Sequence, residues 1–143
     1  MEYYNRDTYD EFDQNTNTED KRKADNRTIS VRQRVNEVDD RLDDEKSKLQ
    51  KLSNMQESVE AIAKNMDKCI ELLSKSMKGP TTDNMFSDMS NSNKTFYTKA
   101  SINIENEEMA TRKNINELYK EKDKILSENR QETLEEDKEE HFE

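Results

Sequence analysis

Apolar residues recur through the middle of the chain at alternating steps of three and four, from Val31 to Met77. This spacing keeps their side chains on one narrow stripe of a helix, the geometry by which one helix packs lengthwise against another. Glu45 and Gln56 interrupt the stripe, and polar residues at such positions fix the register of coiled coils. The apolar members, here named the first seam, are Val31, Val35, Val38, Leu42, Leu49, Leu52, Val59, Ala63, Met66, Ile70, Leu73 and Met77.

A second, less apolar stripe lies further along the chain. Between the two stripes, Lys78-Gly79-Pro80 predicts a helix end, because glycine adopts unusual backbone angles and proline cannot continue the hydrogen-bond ladder. Residues 81–94 are rich in Thr, Asn, Asp and Ser and predict a loop. In this loop Met85, Phe86 and Met89 would plug the hairpin tip, with a docking site as the alternative. The members of the second stripe are Tyr97, Ile104, Ile115, Leu118 and Ile125.

These patterns predict an all-α protein, an elongated antiparallel two-helix hairpin of coiled-coil type with flexible acidic termini. The expected boundaries are a flexible N-terminal arm over 1–19, a helical hairpin over 20–130 and an acidic C-terminal tail over 131–143. Within the hairpin we expect a first helix over about 20–77, a loop over 78–94 and a second helix over about 95–130. The arm carries several aromatic residues among acids and shows no helical period.

The composition agrees with an extended helical pair. Only 29% of the residues are hydrophobic and 41% are charged, which is too polar for an ordinary close-packed core, while the heptad spacing argues against disorder. The net charge of −10 argues against nucleic-acid binding, which depends on neutralising phosphates. Cys69 is the single cysteine, so no intrachain disulfide can form, and we expect it to behave as a small apolar side chain.

No motif in the sequence predicts catalysis. There is no glycine-rich phosphate loop, and His141 stands alone in the tail, so we expect no enzyme, no catalytic residue, no cofactor and no metal site. No apolar run reaches the 18 or more residues of a membrane span, and the N-terminus lacks the basic and apolar regions of a signal peptide. The expected localisation is cytoplasmic, with export alongside a partner, by a route that needs no signal peptide, as the alternative.

The register of the two stripes predicts a surface for a partner. If Met77 faces Phe96 across the loop, Arg130 falls opposite about Asp43, and the first helix has no mate in the chain before that point. Leaving large apolar side chains in water forgoes about 1.5–3 kcal/mol each, so we expect another helical chain to cover them. The predicted partner-binding residues are Val31, Val35, Val38 and Leu42, with a second contribution from Ile115, Leu118 and Ile125.

The Lys78-Gly79-Pro80 break and the second helix, from Ile104-Glu105-Asn106 through Lys122-Asp123, resemble a known architecture. The chain is similar to the WXG100-like helical hairpins of type VII secretion, and most of all to the small accessory proteins that pair with LXG toxins. The resemblance implies a possible targeting element of the form Tyr-x-x-x-Asp/Glu at Tyr119 and Asp123, which share one helix face. Tryptophan is absent, so the Trp-x-Gly turn of the main family is missing.

Residues and resemblance together predict a non-enzymatic helical adaptor or targeting partner. It would bind the helical N-terminal domain of a larger protein, and the resemblance implies an LXG-type toxin exported by type VII secretion. The alternative is a general coiled-coil scaffold or assembly subunit, unrelated to secretion, that pairs with a second copy of itself or with another chain.

Overall fold

The computed structural model describes the backbone of residues 7–141 and the side chains of residues 18–139. It contains two helices, α1 (Asp7–Ser76) and α2 (Pro80–His141), packed against each other as a hairpin. The predicted all-α hairpin is therefore confirmed. Its physical basis is that glycine and proline, the residues that interrupt helices, each occur once in the chain and lie together at the turn.

The turn between the two helices is short, and the residues at its end have specific backbone roles. Gly79 has a φ of 153°, a conformation that residues with a Cβ rarely adopt. Pro80 occupies the first position of α2, where its missing N–H removes no helical hydrogen bond. The Thr82 hydroxyl donates to the Gly79 carbonyl at 3.1 Å, and the Asp83 amide donates to the same oxygen at 2.9 Å. Residues 77–79 alone therefore separate the two helices.

The helix bounds differ from the predicted ones at several places. The predicted loop over 78–94 is corrected: α2 already begins at Pro80, and its early residues Phe86 and Asn93 are buried. Burial against α1 outweighs the weak helix propensity of the Asn, Ser and Thr residues in this segment. α1 begins at Asp7 rather than near residue 20, and α2 continues to His141 through the predicted tail. Tyr3 and Tyr4 of the predicted arm lie outside the described residues.

The chain divides into two compact units, which are described separately. The terminal unit consists of Met1–Arg41 and Leu118–Glu143, and the turn unit consists of Leu42–Glu117. In the terminal unit, Val38, Leu118 and Ile125 are buried between the two helical segments. All the described side chains of residues 131–139 are exposed, so this stretch of α2 contributes no buried apolar contact.

Ion pairs cross between the helical segments of the terminal unit at heptad intervals. Basic residues of α1 at positions 27, 34 and 41 pair with acidic residues of α2, as Arg34 does with Glu128 at 3.9 Å and Arg41 with Glu121 at 3.6 Å. Arg27 pairs with Glu136, and the hydrogen bond from its guanidinium to that carboxylate raises the pKa of Arg27. A further pair has the opposite sense, since Lys122 of α2 contacts Asp39 of α1 at 2.8 Å. Together these pairs favour the antiparallel register seen here.

The turn unit has an apolar core that contains a few polar side chains. Thr111 is fully buried, and its hydroxyl donates to the Glu107 carbonyl of the preceding helical turn at 2.8 Å. Gln56, a polar member of the α1 stripe, donates across the interface to the Ser101 hydroxyl at 3.2 Å. Glu45, the other polar member, is half-buried. The buried apolar residues of this unit are Leu42, Leu52, Ala63, Ile70, Phe86 and Ile104.

Candidate docking groove on the turn unit

Four of the seven residues predicted to bind a partner lie in the hairpin's own core, and the other three are half-buried. Val38 and Leu42 are only 2% and 3% exposed, and Val31 and Val35 are half-buried. On α2, Leu118 and Ile125 are buried and Ile115 is half-buried. The inference that this part of the first seam has no mate within the chain is therefore wrong, and with it the reason for assigning these residues to a partner.

The error comes from the position of the turn. The prediction placed a long loop before the second helix and therefore set Arg130 opposite Asp43. In the structure α2 starts at Pro80, so Glu128, just before Arg130, pairs with Arg34 instead. The extra helical turns at the start of α2 shift its remaining residues along α1, and α2 thereby covers the segment that the sequence seemed to leave bare.

The Tyr119–Asp123 pair lies on α2 with both residues exposed. Tyr119 is 42% exposed, and a spacing of four residues puts both side chains on one helix face. Within the terminal unit their neighbours Glu121 and Lys122 pair with Arg41 and Asp39 of α1. Their targeting role stays a prediction.

A large apolar groove runs along one side of the turn unit, between α1 and α2. Its volume is about 790 Å³. Ile62 and Met66 line it from α1, and Met85, Met89 and Phe96 line it from α2. Four of these five side chains are roughly half exposed: Ile62 at 51%, Met66 at 44%, Met85 at 46% and Phe96 at 45%. The groove is thus lined by apolar side chains from both helices.

The heptad pattern of α1 explains how the groove arises. Arg41 lies directly before Leu42 of the first seam. The same heptad position, seven residues apart, is basic early in the helix, at residues 27, 34, 41 and 48. One heptad after Lys48 the same position becomes apolar, first as Met55 and then as Ile62. Lys48 still pairs with Glu107 of α2 at 3.7 Å, whereas Met55 and Ile62 are each about half exposed. Within the turn unit this side of the hairpin therefore changes from an ion pair to apolar surface.

The opposite side of the same unit has a different chemistry. A smaller groove of about 410 Å³ lies there, and four of its seven lining residues are charged, namely Glu60, Lys64, Asp67 and Lys94. The side of the turn unit that carries the smaller groove is thus covered largely by charged side chains. The apolar lining of the larger groove is a property of these particular residues and does not follow from the architecture alone.

Asn93 forms part of the wall of both grooves and holds the helices together between them. It is 7% exposed, and its amide nitrogen donates to the Ala63 carbonyl at 3.0 Å and to the Asp67 carboxylate at 2.9 Å. A buried amide with both donors satisfied fixes the spacing of the helices, since losing either bond would leave a polar group unpaired. Asn93 therefore links the two helices at the wall that both grooves share.

Charge is sparse in the larger groove. Among the described side chains that line it, Asp88 alone is charged, and the others that are polar are Thr81, Asn84, Ser92 and Asn93. Cys69 is exposed, contrary to the expectation of an apolar packing role, and it lies two turns after Ile62 on the same helix face. The wall of the groove is thus apolar and its edge mostly neutral and polar.

Other kinds of site are not found in the described part of the chain. Among its described residues, no three His, Cys, Asp or Glu side chains are grouped so that they could hold a metal ion. None of the helical stretches that could be searched combines the length and the apolar character required to cross a membrane.

Comparison with models of known families, with curated proteins and with solved structures gives no match to this chain. The sequence analysis favoured a plug at the hairpin tip for Met85, Phe86 and Met89, with a docking site as the alternative. Phe86 is buried, at 6% exposure, whereas Met85 is 46% exposed and lines the groove. The signal that could have revealed the α1 side of the groove was Ile62, an apolar residue that lies beside the first seam.

Proposed function

We propose that this protein is a non-enzymatic helical adaptor, which binds a helical segment of a larger protein in the groove of its turn unit. The observation that carries the proposal is the pairing of half-exposed apolar side chains from both helices, Ile62 and Met66 facing Met85 and Phe96, along one open groove. Amphipathic helices bind in grooves of this kind by inserting residues spaced three and four apart. Methionine walls suit the task because the unbranched side chain adapts to different shapes.

The free energy available from the groove is of the right order for a specific complex. A fully buried side chain of this size contributes about 1.5–3 kcal/mol, so covering one that is half exposed contributes about 1 kcal/mol. The four half-exposed lining residues would then supply on the order of 4 kcal/mol. Contacts of the partner's own apolar side chains add to this, and the loss of translational and rotational freedom opposes it.

For the biological setting, we propose an accessory partner of an LXG-type toxin in type VII secretion. The support is the resemblance carried by the Lys78-Gly79-Pro80 break and the second helix, together with a hairpin architecture. Exposure of Tyr119 and Asp123 is compatible with a targeting element that a secretion machine would read. In this setting the partner's helical N-terminal domain would supply the helix that fills the groove.

The test is co-purification from the native source with a matched pair of double variants. Ile62→Gln with Met85→Gln removes two groove side chains, whereas Ile102→Gln with Met109→Gln makes the same chemical change at exposed positions that do not line the groove. Because glutamine is uncharged and favourable in helices, both variants keep the net charge and should fold.

We expect a larger protein with a long helical N-terminal segment to co-purify with the wild type and with the Ile102/Met109 variant, and to be lost from the groove variant. Equal recovery with both variants would place the contact elsewhere and contradict the proposal. Recovery of only a second copy of this chain would favour the alternative, a coiled-coil assembly subunit.

A further inference from the structure

Methionine is concentrated in the unit of the chain that carries the groove. Of the seven methionines, all except Met1 lie in the turn unit, between residues 55 and 109. Three of the five apolar residues that line the groove are methionines, namely Met66, Met85 and Met89. In the terminal unit, the members of the two apolar stripes are valine, leucine or isoleucine. The groove is therefore built largely from a side chain that those stripes do not use.

The thioethers of the groove are accessible from solvent. Met66 is 44% and Met85 is 46% exposed, and Met89 is half-buried. Exposure makes such sulfur atoms targets for small oxidants such as hydrogen peroxide. The other three internal methionines are also exposed but do not line the groove, and they are Met55, Met77 and Met109.

The core of the hairpin offers no such target. Its buried apolar side chains, among the described residues, are valine, leucine, isoleucine, alanine and phenylalanine. Asn93 and Gln56, which join the two helices by hydrogen bonds, carry no sulfur either. Cys69, the remaining sulfur-bearing residue, is exposed. Oxidation of sulfur therefore changes the groove and leaves the contacts that hold the hairpin together.

We propose that Met66, Met85 and Met89 form an oxidation site, at which hydrogen peroxide converts the groove from a binding to a non-binding form. The methionine sulfur attacks one peroxide oxygen and the O–O bond breaks. The departing hydroxide takes the proton of the transferred oxygen and leaves as water. Each sulfur loses two electrons and becomes a sulfoxide, and the peroxide gains the same two. This inference rests on the proposed adaptor function and names how binding at the same groove is regulated.

The sulfoxide changes what the groove can bind. Its oxygen is a hydrogen-bond acceptor on a side chain that was apolar before. A helix bound in the groove would bury this oxygen against its own apolar stripe, and an acceptor without a donor opposes burial. Sulfoxide reductases return the thioether, so the change is reversible.

The test uses the full-length chain with Cys69→Ser in every protein, so that peroxide chemistry at the thiol does not contribute. Two triple variants divide the six internal methionines. One carries Met66→Leu, Met85→Leu and Met89→Leu, and the other carries Met55→Leu, Met77→Leu and Met109→Leu. Binding of the uncharged apolar dye Nile red is titrated before and after peroxide treatment, and each protein is compared with its own untreated sample. Mass spectrometry measures the oxygen added at each methionine, and the Ile62→Gln with Met85→Gln variant shows how much dye binding depends on the groove.

We expect oxidation to weaken dye binding at least tenfold in the protein with all its methionines and in the variant that keeps the groove methionines. The variant with leucine at the three groove positions should lose less than twofold. A tenfold change corresponds to about 1.4 kcal/mol, which one unpaired acceptor in an apolar site supplies. Methionine sulfoxide reductase should restore binding. Oxidation should lower the Tm by less than about 3 °C, since the core is not oxidised.

Dye binding that survives full oxidation of Met66 and Met85 would overturn the inference, as would equal loss in the two triple variants. Unfolding of the oxidised chain, or dye binding that does not depend on the groove, would also overturn it. Failure of the adaptor function is a different result, in which no larger protein co-purifies in a groove-dependent way from the untreated native source. Co-purification that persists after oxidation would overturn the inference and leave the adaptor function standing.

Discussion

Replacing Leu42 by alanine tests whether its side chain belongs to the hairpin's own core or to a surface that binds a partner. The sequence pattern assigned Leu42 to an uncovered stripe, and a residue of that kind could be truncated without harm to the free protein. In the structure the side chain is 3% exposed. Its truncation should therefore destabilise the isolated chain, with no partner present.

The size of the effect follows from the burial. Leucine-to-alanine substitutions at buried sites cost about 2–5 kcal/mol, the sum of lost transfer free energy and the cavity left behind. Small proteins unfold with a total of only about 5–15 kcal/mol, so the loss is a large fraction of the whole. For a chain of this length, a loss of 3 kcal/mol should lower the Tm by about 10 °C.

Thermal and urea unfolding of the purified chain, followed by circular dichroism, measure this loss. Leu72→Ala is the matched control, since Leu72 is 65% exposed in the same unit and its truncation should change the free energy of unfolding by less than about 0.5 kcal/mol. If Leu42→Ala and Leu72→Ala unfold at the same temperature, Leu42 is not covered by α2 and the register described above is wrong.

Three further predictions concern single features of the hairpin. The Glu45 Oε2 atom is buried without a hydrogen-bond partner among the described residues. Glu45→Leu should therefore raise the free energy of unfolding, measured by thermal denaturation, by about 1–3 kcal/mol. A lower Tm would show that the carboxylate is hydrogen-bonded in solution. Gly79→Ala should lower the free energy of unfolding, measured in urea, by about 1–3 kcal/mol. Alanine disfavours a φ of 153°, and its Cβ would lie 3.3 Å from the Thr82 hydroxyl. An unchanged urea midpoint would refute the tight turn. Exposed ion pairs join the two helices around Arg34 and Glu128, whereas Ile70 is buried. Because salt screens exposed charges, about 0.5 M NaCl should accelerate amide hydrogen exchange around Arg34 and Glu128 more than around Ile70. Equal acceleration at both places would contradict a contribution of the ion pairs to helix pairing.

The helices themselves were predictable because the heptad spacing survives over most of α1. Leu52 and Ile70, assigned to the first seam from spacing alone, are buried, since a stripe of that kind has no other stable place in a polar chain. Gln56, predicted as a polar residue that fixes register, does contact α2 through Ser101. Near the turn the spacing was a weaker guide, because Met66 and Leu73 belong to the same stripe and are 44% and 45% exposed.

The register and the groove were not predictable in the same way. Register depends on where α2 starts, and the Thr- and Asn-rich segment after Pro80 has a helix propensity too weak to show that it is helical. Burial of Phe86 and Asn93 stabilises it, and that burial exists only once both helices are paired. The groove is likewise a joint property of the two helices, because neither Ile62 nor Phe96 alone distinguishes a docking wall from an isolated exposed apolar residue.

The central claim, that the groove of the turn unit holds a helix of another protein, is tested most directly by photo-crosslinking in the native source. A photoreactive phenylalanine analogue replaces Phe96, which lines the groove, and in a separate variant replaces Met109, which does not. The account predicts a covalent adduct with a helical segment of a larger protein from position 96 and none from position 109. Adducts from position 109 alone, or equal adducts from both positions, would contradict it.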